Sequence, residues 1–534
     1  MSKIASYLSN HLHGEVLTSQ AIRRKFSTDG SVLKITPLLV AFPFDTSDVR
    51  KITHFAWQLA EKGHTLALTA RGSGSNNVGG AIGNGIVMSF PQHLDKILEI
   101  DTKQKLARVQ PGVSLKNLDT TMRSHGLVWP VDSHTQSATV GGAIGSNLYG
   151  AQGGRYGDCG AWIDQLEVVL ASGDTIQTKR LSKRELNKKK GITGMEGEIY
   201  RELDNLISDH PETIADLAER PGSAGYALAA VKDKAGNFDL TPLIIGSQGT
   251  LGIVTEAILR LEHDHPQKEI IAVGLTSTDE LEQLVAKLNK LDPTRIEFVD
   301  RASLAYATQK LAIKVPQLLP SDEDAPELAG LLVIEVEVTG RLKSKAKKIS
   351  KLFEKAEHIV TRSDGDLERA SEMWQAYNRL VYVLNHTETD DRKVTMPVIE
   401  DAIIPLSDIT SFVASVHALA KKHRLTLVLW AHLTTGVVHV RPFLNPRHLS
   451  DKQKIAKLMS DYYQLVIKTD GSAAGEYGEG RLRTHHASGQ FGAEEKALFV
   501  AVKKIFDTHN IFNPGVKLAA DKDSLSALDE SYSH

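Results

Sequence analysis

The chain has 534 residues, 41% of them hydrophobic and 24% charged, with 41 glycines; this is close to a globular average and excludes disordered, collagen-like and coiled-coil classes. Its length predicts roughly two to four domains, and a formal net charge of −2 argues against general nucleic-acid binding. The single cysteine, Cys159, excludes an internal disulfide and any four-cysteine iron–sulfur site within these residues.

Residues 1–29 read as an N-terminal segment, with an apolar run too short for a secretory signal. No later stretch reaches the roughly 18–20 apolar residues that span a bilayer, so the expectation is a cytoplasmic chain without an integral membrane segment. Asp45 to Gly63 predicts a helix, with Val49, Ile52, Phe55, Ala56 and Leu59 on one stripe and Asp45 or Ser47 as cap. His64 to Ala70 alternates like a strand. Further short strands are expected at Ile86–Ser89, Leu106–Val109, Leu166–Leu170 and from Ile253, with a helix at Ser114–His125. Residues 181–240 read as a polar, helix-rich insertion. The basic run of Lys179, Arg180, Lys183, Arg184 and Lys188 to Lys190 reads as a solvated loop in preference to a docking patch. After Pro266 strands and helices alternate: strand Glu269–Leu275, helix Asp279–Leu291, strand Leu331–Val338, helix 344–357, and a last helix at Glu494–Thr508. This pattern predicts a second, α+β domain.

Three glycine-rich segments carry the first chemical signal. Arg71-Gly72-Ser73-Gly74-Ser75-Asn76 follows a strand, yet a Rossmann fingerprint fails: Asn77 stands where the third glycine belongs, and turn and strand follow instead of a helix. What remains is a loop whose successive N–H groups can face an anion. Alone it could equally be a tight turn. The stretches 138–147 (ATVGGAIGSN) and 246–254 (GSQGTLGIV) repeat the theme, and glycines let backbone lie against a large flat ligand. Together the three point to a bulky anionic cofactor.

Here the chain resembles a known family. Val40 to Leu261 is similar to the FAD-binding domain of the vanillyl-alcohol-oxidase/PCMH superfamily, through PGVSLKNLDTTMRSHGLVWPVDS (111–133), ATVGGAIGSN (138–147), RYGDCGAWIDQLEVVLASGD (155–174) and GSQGTLGIVTEAILRL (246–261). The resemblance implies that Arg71, Gly72, Ser73, Gly74, Ser75 and Asn76 meet the FAD pyrophosphate. It places Pro130, Asp132, Ser133, Thr139, Gly141, Gly142, Ser146 and Asn147, with Gly249, Gly252 and Ile253, beside the flavin and adenine portions. Some members tether FAD through His or Cys; Cys159 is read first as a small buried residue.

In the C-terminal half, His432 and His439 flank a glycine turn, and Gly475-Glu476-Tyr477-Gly478 follows. Two His and one carboxylate can bind a divalent ion such as zinc and leave positions open, although such a pair alone is more often structural. These segments resemble the C-terminal domain of FAD-linked D-2-hydroxyacid dehydrogenases (the D-lactate, glycolate and D-2-hydroxyglutarate group). That resemblance implies His432, His439 and Glu476 as metal ligands, relates Glu400-Asp401 to an E-D-x-x-x-P segment, and makes Asn513-Pro514-Gly515 the closing motif beside the cofactor. Met373 to Arg379 resembles a W-x-x-R segment with longer spacing, so Arg379 is the expected partner of a substrate carboxylate, with Lys393 a second. The family's G-E-H-G histidine, which takes the hydroxyl proton, is Tyr477 here. Tyrosine is a poor base at its reference pKa of about 10; nearby positive charge, such as a cation and Arg481, favours the phenolate, and His485 or His486 are alternatives.

The resulting expectation is an α+β protein: a PCMH-type FAD-binding domain at 30–262 with the insertion at 181–240, a substrate or cap domain at 263–518, and a flexible tail at 519–534. The function expected is FAD-dependent oxidation of a D-2-hydroxyacid to the 2-oxoacid, probed against two alternatives: an oxidase of another alcohol using dioxygen, and a non-catalytic flavin-binding subunit of an electron-transfer complex. Expected partners are a small hydroxyacid and an unidentified electron acceptor, with a homodimer compatible and no nucleic acid.

Overall fold

A computed structural model describes residues 3–133, 135, 137–311, 327–338, 342–353, 359–364, 367–389, 391–518 and 524–533. The chain divides into two compact units: 1–148 with 158–263 and 474–529, and 149–157 with 264–473 and 530–534.

The first unit contains two sheets. One has the order Glu15–Leu17, Leu39–Phe42, Ile86–Ser89, Leu68–Arg71. Ile86–Ser89 pairs in parallel with both Leu39–Phe42 and Leu68–Arg71. Every residue of Leu39–Phe42 and Ile86–Ser89 is buried, the continuous burial expected of parallel strands covered on both faces. The crossover helix, Thr46–Glu61, starts where the sequence places it: Asp45 caps it, accepting from Asp48 N, and Val49, Ile52 and Ala56 are buried. Asp48, itself buried, accepts from the backbone N–H groups of His13, Gly14 and Phe44. The N-terminal segment is thereby part of this unit, with Glu15–Leu17 as an added antiparallel strand.

The second sheet is antiparallel, in the order Ile97–Asp101, Leu106–Val109, Ile253–Arg260, Ile163–Val169, Thr175–Thr178. Ile253–Arg260 alternates buried positions with half-buried ones, ending on the exposed Arg260, as a strand between a core and a wetter face should. The insertion is helical, at Lys183–Lys190, Met195–Asp209 and Pro211–Ala218. Within its basic run, Arg180, Lys189 and Lys190 pair with Asp233, Glu196 and Asp204.

Residues 474–518, read from sequence as the end of the second domain, fold with the first unit. The reason is apolar: Leu498, Phe499, Val502 and Phe506 of helix Ala493–Phe506 share a buried cluster with Ile199, Leu203 and Tyr226. Phe512 also bridges in parallel to Leu68. The tail is anchored as well, since Leu528 bridges to Leu33 and Asp529 N donates to Val32 O. The expected end of helix 344–357 lies partly outside the described residues; Leu342–Phe353 is helical.

The second unit is built on one antiparallel sheet, ordered Ile359–Asp364, Lys268–Leu275, Gly330–Glu337, Arg295–Asp300, Leu427–His432, Val437–Leu444, Val394–Thr395, with Ala402–Ile403 also paired to Val437–Leu444. Helix Leu367–Asn385 covers one face through Met373, Tyr377, Leu380 and Leu384, packed with Val299, Val333, Trp430 and Phe443. Among the described residues no helix is long and apolar enough to cross a membrane.

A pH-sensitive contact lies in this unit. His417 Nε2 meets Asp300 Oδ2 at 2.7 Å, and this hydrogen bond, ahead of the opposing desolvation, raises the histidine's pKa. The stabilisation is therefore present below about pH 6.5 and lost as pH rises through the raised folded value. The melting-temperature gap between wild type and His417→Gln should be wider at pH 6 than at pH 9. An equal gap at both values would remove the contact from the stability account.

Candidate active site

The first unit contains a cleft. Of the residues expected at a cofactor, Arg71, Gly72, Ser73, Gly74, Ser75, Asn76, Ser133, Thr139, Gly141, Gly142, Ser146, Gly249, Gly252 and Ile253 line it. The glycines act in two ways. Gly74 has φ +80°, and a Cβ there would strike the Arg71 guanidinium at 2.1 Å, so the loop can close over that side chain only without one. At Gly145 an added Cβ would meet nothing nearer than 3.8 Å; absence of a side chain there leaves cleft volume for a flat ligand. Such a cradle fits a flavin dinucleotide.

Four expected cofactor residues do not line the cleft. Asn147 ends a short helix with φ 50° and binds Asp158 and Gly160 N through its side chain. Asn513 donates to the carbonyls of Gly80 and Gln248, tying two cleft-lining segments together. Pro130 and Asp132 also fall outside the lining. Arg71 lines the cleft, but its Nη1 donates to Thr28 O at 2.8 Å and Ala81 O at 3.2 Å, so it braces the loop. Burial lowers its pKa, with Asp29 opposing. Cys159 is fully buried and outside the lining; burial first, then Asp158, pushes its thiol well up, a poor state for a nucleophilic tether.

Glu476 and Tyr477 line the same cleft. The Tyr477 carbonyl accepts from Asn76 Nδ2 and Gln248 Nε2, both at 3.0 Å, while Gln248 Oε1 accepts from Glu479 N and Gly480 N. Gln248 was not singled out from sequence; its signal was its place between two glycine-flanked turns, where it adopts φ 53°. Glu479 is held by Gly225 N at 2.8 Å and by Lys517 Nζ at 2.6 Å. Arg481 spends its guanidinium on Gly79 O, Asn513 Oδ1 and Pro514 O, and burial lowers its pKa to about 10. His485 and His486 do not line the cleft; burial first, then His485, lowers His486 to about 4.

In the second unit, period-two alternation puts Glu297, Trp430, His432, His439 and Arg441 on one face. Glu297 lies directly opposite His432, and Trp430 opposite His439. The two Nε2 atoms face each other at 3.1 Å. Each Nδ1 meets a carboxylate: His432 to Glu297 Oε2 at 2.8 Å, His439 to Glu400 Oε1 at 2.9 Å. Tyr377 Oη donates to the same Glu297 oxygen at 2.6 Å, Arg441 Nε donates to Glu400 Oε2 at 3.1 Å, and Trp430 stacks on His439 at 4.8 Å. Desolvation raises the Glu400 pKa, but Arg441 and His439 outweigh it and the net direction is down. Two imidazole nitrogens bound to one ion at about 2.0–2.1 Å stand roughly 3 Å apart, so the pair fits a shared cation.

Arg379 and Lys393 are placed otherwise than a carboxylate clamp requires. Arg379 is exposed, two positions past Tyr377 and off the buried stripe of its helix. Lys393 Nζ forms a half-exposed pair with Asp391 at 2.5 Å.

Residues 37–179 match a family model described as FAD binding domain, and residues 265–516 one described as FAD linked oxidases, C-terminal domain. D-2-hydroxyglutarate dehydrogenase of Haemophilus influenzae is 30% identical over 98% of this chain and 52% of its own length; the chain thus spans about half of that relative. Glycolate oxidase subunit GlcD of Bacillus subtilis is 27% identical, over 91% of this chain and 90% of its own. Among solved structures, p-cresol methylhydroxylase with substrate bound superposes with TM-score 0.69 at 13% identity, covering 96% of both chains. The isoeugenol complex of 4-ethylphenol oxidase from Gulosibacter chungangensis gives 0.66 at 15%, again covering 96% of both. These structures share the fold.

Proposed function

Given that the chain carries an FAD binding domain at 37–179 and the C-terminal domain of FAD linked oxidases at 265–516, we propose that it oxidises a D-2-hydroxyacid to the 2-oxoacid. The observation that supports this reading is the joint lining of one cleft by the glycine loop 71–76 and Tyr477. When bound, FAD supplies the acceptor for the substrate's hydride, and the protein supplies orientation and charge. The loop 71–76 and the segments at 139–146 and 249–253 bind it. Tyr477 holds the hydroxyl proton at Oη, its backbone fixed by Asn76 and Gln248.

His432 and His439 hold a divalent cation such as zinc; such an ion lowers the pKa of a bound hydroxyl. The names of the relatives support a hydroxyacid substrate. In this reading electrons leave the flavin to an acceptor outside these residues, because Cys159 alone cannot hold an iron–sulfur cluster.

A second reading, a flavin-binding subunit without its own chemistry or an oxidase of another alcohol, draws on Tyr477 standing where the family's base is a histidine. Anaerobic addition of D-2-hydroxyglutarate, D-lactate and glycolate to the flavin-loaded protein separates them. Bleaching of the flavin absorbance by at least one is expected. Full retention of the oxidised spectrum with all of them would favour the second reading.

A further inference from the structure

The histidine pair is embedded in acid groups that ligation itself does not require. Glu297 and Glu400 are both buried, and a buried carboxylate without strong partners is costly. Each instead faces one ring at Nδ1, at 2.8 and 2.9 Å. A carboxylate that accepts from Nδ1–H leaves Nε2 as the ring nitrogen that can ligate a cation. The two Nε2 atoms stand 3.1 Å apart, a spacing that two nitrogens ligating one cation also have.

Each carboxylate is itself fixed from outside. Tyr377, from the helix Leu367–Asn385, reaches Glu297 at 2.6 Å, and Arg441 reaches Glu400 at 3.1 Å. Glu297 sits on the strand neighbouring that of His432, in register, so its carboxylate is set by the sheet as well as by Tyr377.

We infer that Glu297 and Glu400 are positioning residues for the cation. They lock both imidazoles in the tautomer and rotation that aim Nε2 at one point, and Tyr377 does the same for Glu297. The inference rests on the proposed metal reading and adds to it the residues that make the pair a ligand set.

The test uses the full flavin-loaded chain, stripped of metal, with Co²⁺ titrated against a chelator of known affinity and followed by the Co²⁺ absorption bands. Wild type should take up Co²⁺. Glu297→Gln and Glu400→Gln should each weaken uptake about 10- to 100-fold, with altered bands, because an amide holds the Nδ1 hydrogen less firmly. Tyr377→Phe, which keeps the ring packing, should weaken uptake by less and serves if a Gln variant does not fold. Near-UV circular dichroism, to which Trp374 and Trp430 of the second unit contribute, monitors folding of each variant. Wild-type affinity and bands in the folded variants would overturn the positioning role while leaving the metal reading intact. No uptake by wild type would overturn both.

Discussion

Replacing Tyr477 by phenylalanine is expected to slow anaerobic flavin reduction by about 10²- to 10⁴-fold, the usual worth of a positioned acid–base group, with flavin content unchanged. The contacts that fix this residue explain the separation. Asn76 and Gln248 bind its carbonyl, so loss of the phenol oxygen leaves the loop anchored and the cleft wall in place. Stopped-flow absorbance with the best D-2-hydroxyacid measures it. A variant reducing its flavin at the wild-type rate would move the proton to another group. Tyr477→His restores the family's residue and should retain or raise the rate.

The second large effect is on stability. Lys517 is fully buried with its ammonium 2.6 Å from Glu479, and it donates to the carbonyls of Ser223 and Gly225. Removing one partner of a buried pair leaves the other charge uncompensated, a loss of about 3–5 kcal/mol. Lys517→Met should therefore lower the denaturant midpoint strongly, and Lys517→Met with Glu479→Gln should recover much of the loss. If the double variant is no more stable than the single one, the cost comes from the carbonyl contacts instead of the pair. Glu479 follows Tyr477 by two positions, so the single variant should also slow flavin reduction.

Local signals were legible and distant ones were not. The loop 71–76 and the segments at 139–146 and 249–253 line the cleft because their chemistry is written in consecutive residues. The His432/His439 pair faces inward together because both lie on adjacent strands of one hairpin. Glu297, by contrast, reaches His432 across a sequence separation of 135, which no periodicity reveals; a carboxylate in the middle of the fully buried strand Arg295–Asp300 was the available hint. Arg379 is a matter of helix phase. Met373, Tyr377, Leu380 and Leu384 form the buried stripe, and a residue two past Tyr377 turns to the opposite side. The return of 474–518 to the first unit followed from the apolar face of helix Ala493–Phe506, whose partners at 199–226 lie far upstream.

That return has a consequence for synthesis. The first unit is discontinuous: Tyr477, Lys517 and the segment that bridges Leu68 are made only after residues 264–473. A ribosome working at about 5–20 residues per second delivers the second unit's sheet, whose strands all lie within 264–473, before the first can be completed. During that interval Leu498, Phe499, Val502 and Phe506 have not yet covered Ile199, Leu203 and Tyr226, and an apolar surface stands open on the nascent chain. The cleft, which Glu476 and Tyr477 help to line, thus cannot be completed until the second unit's sheet has been synthesised.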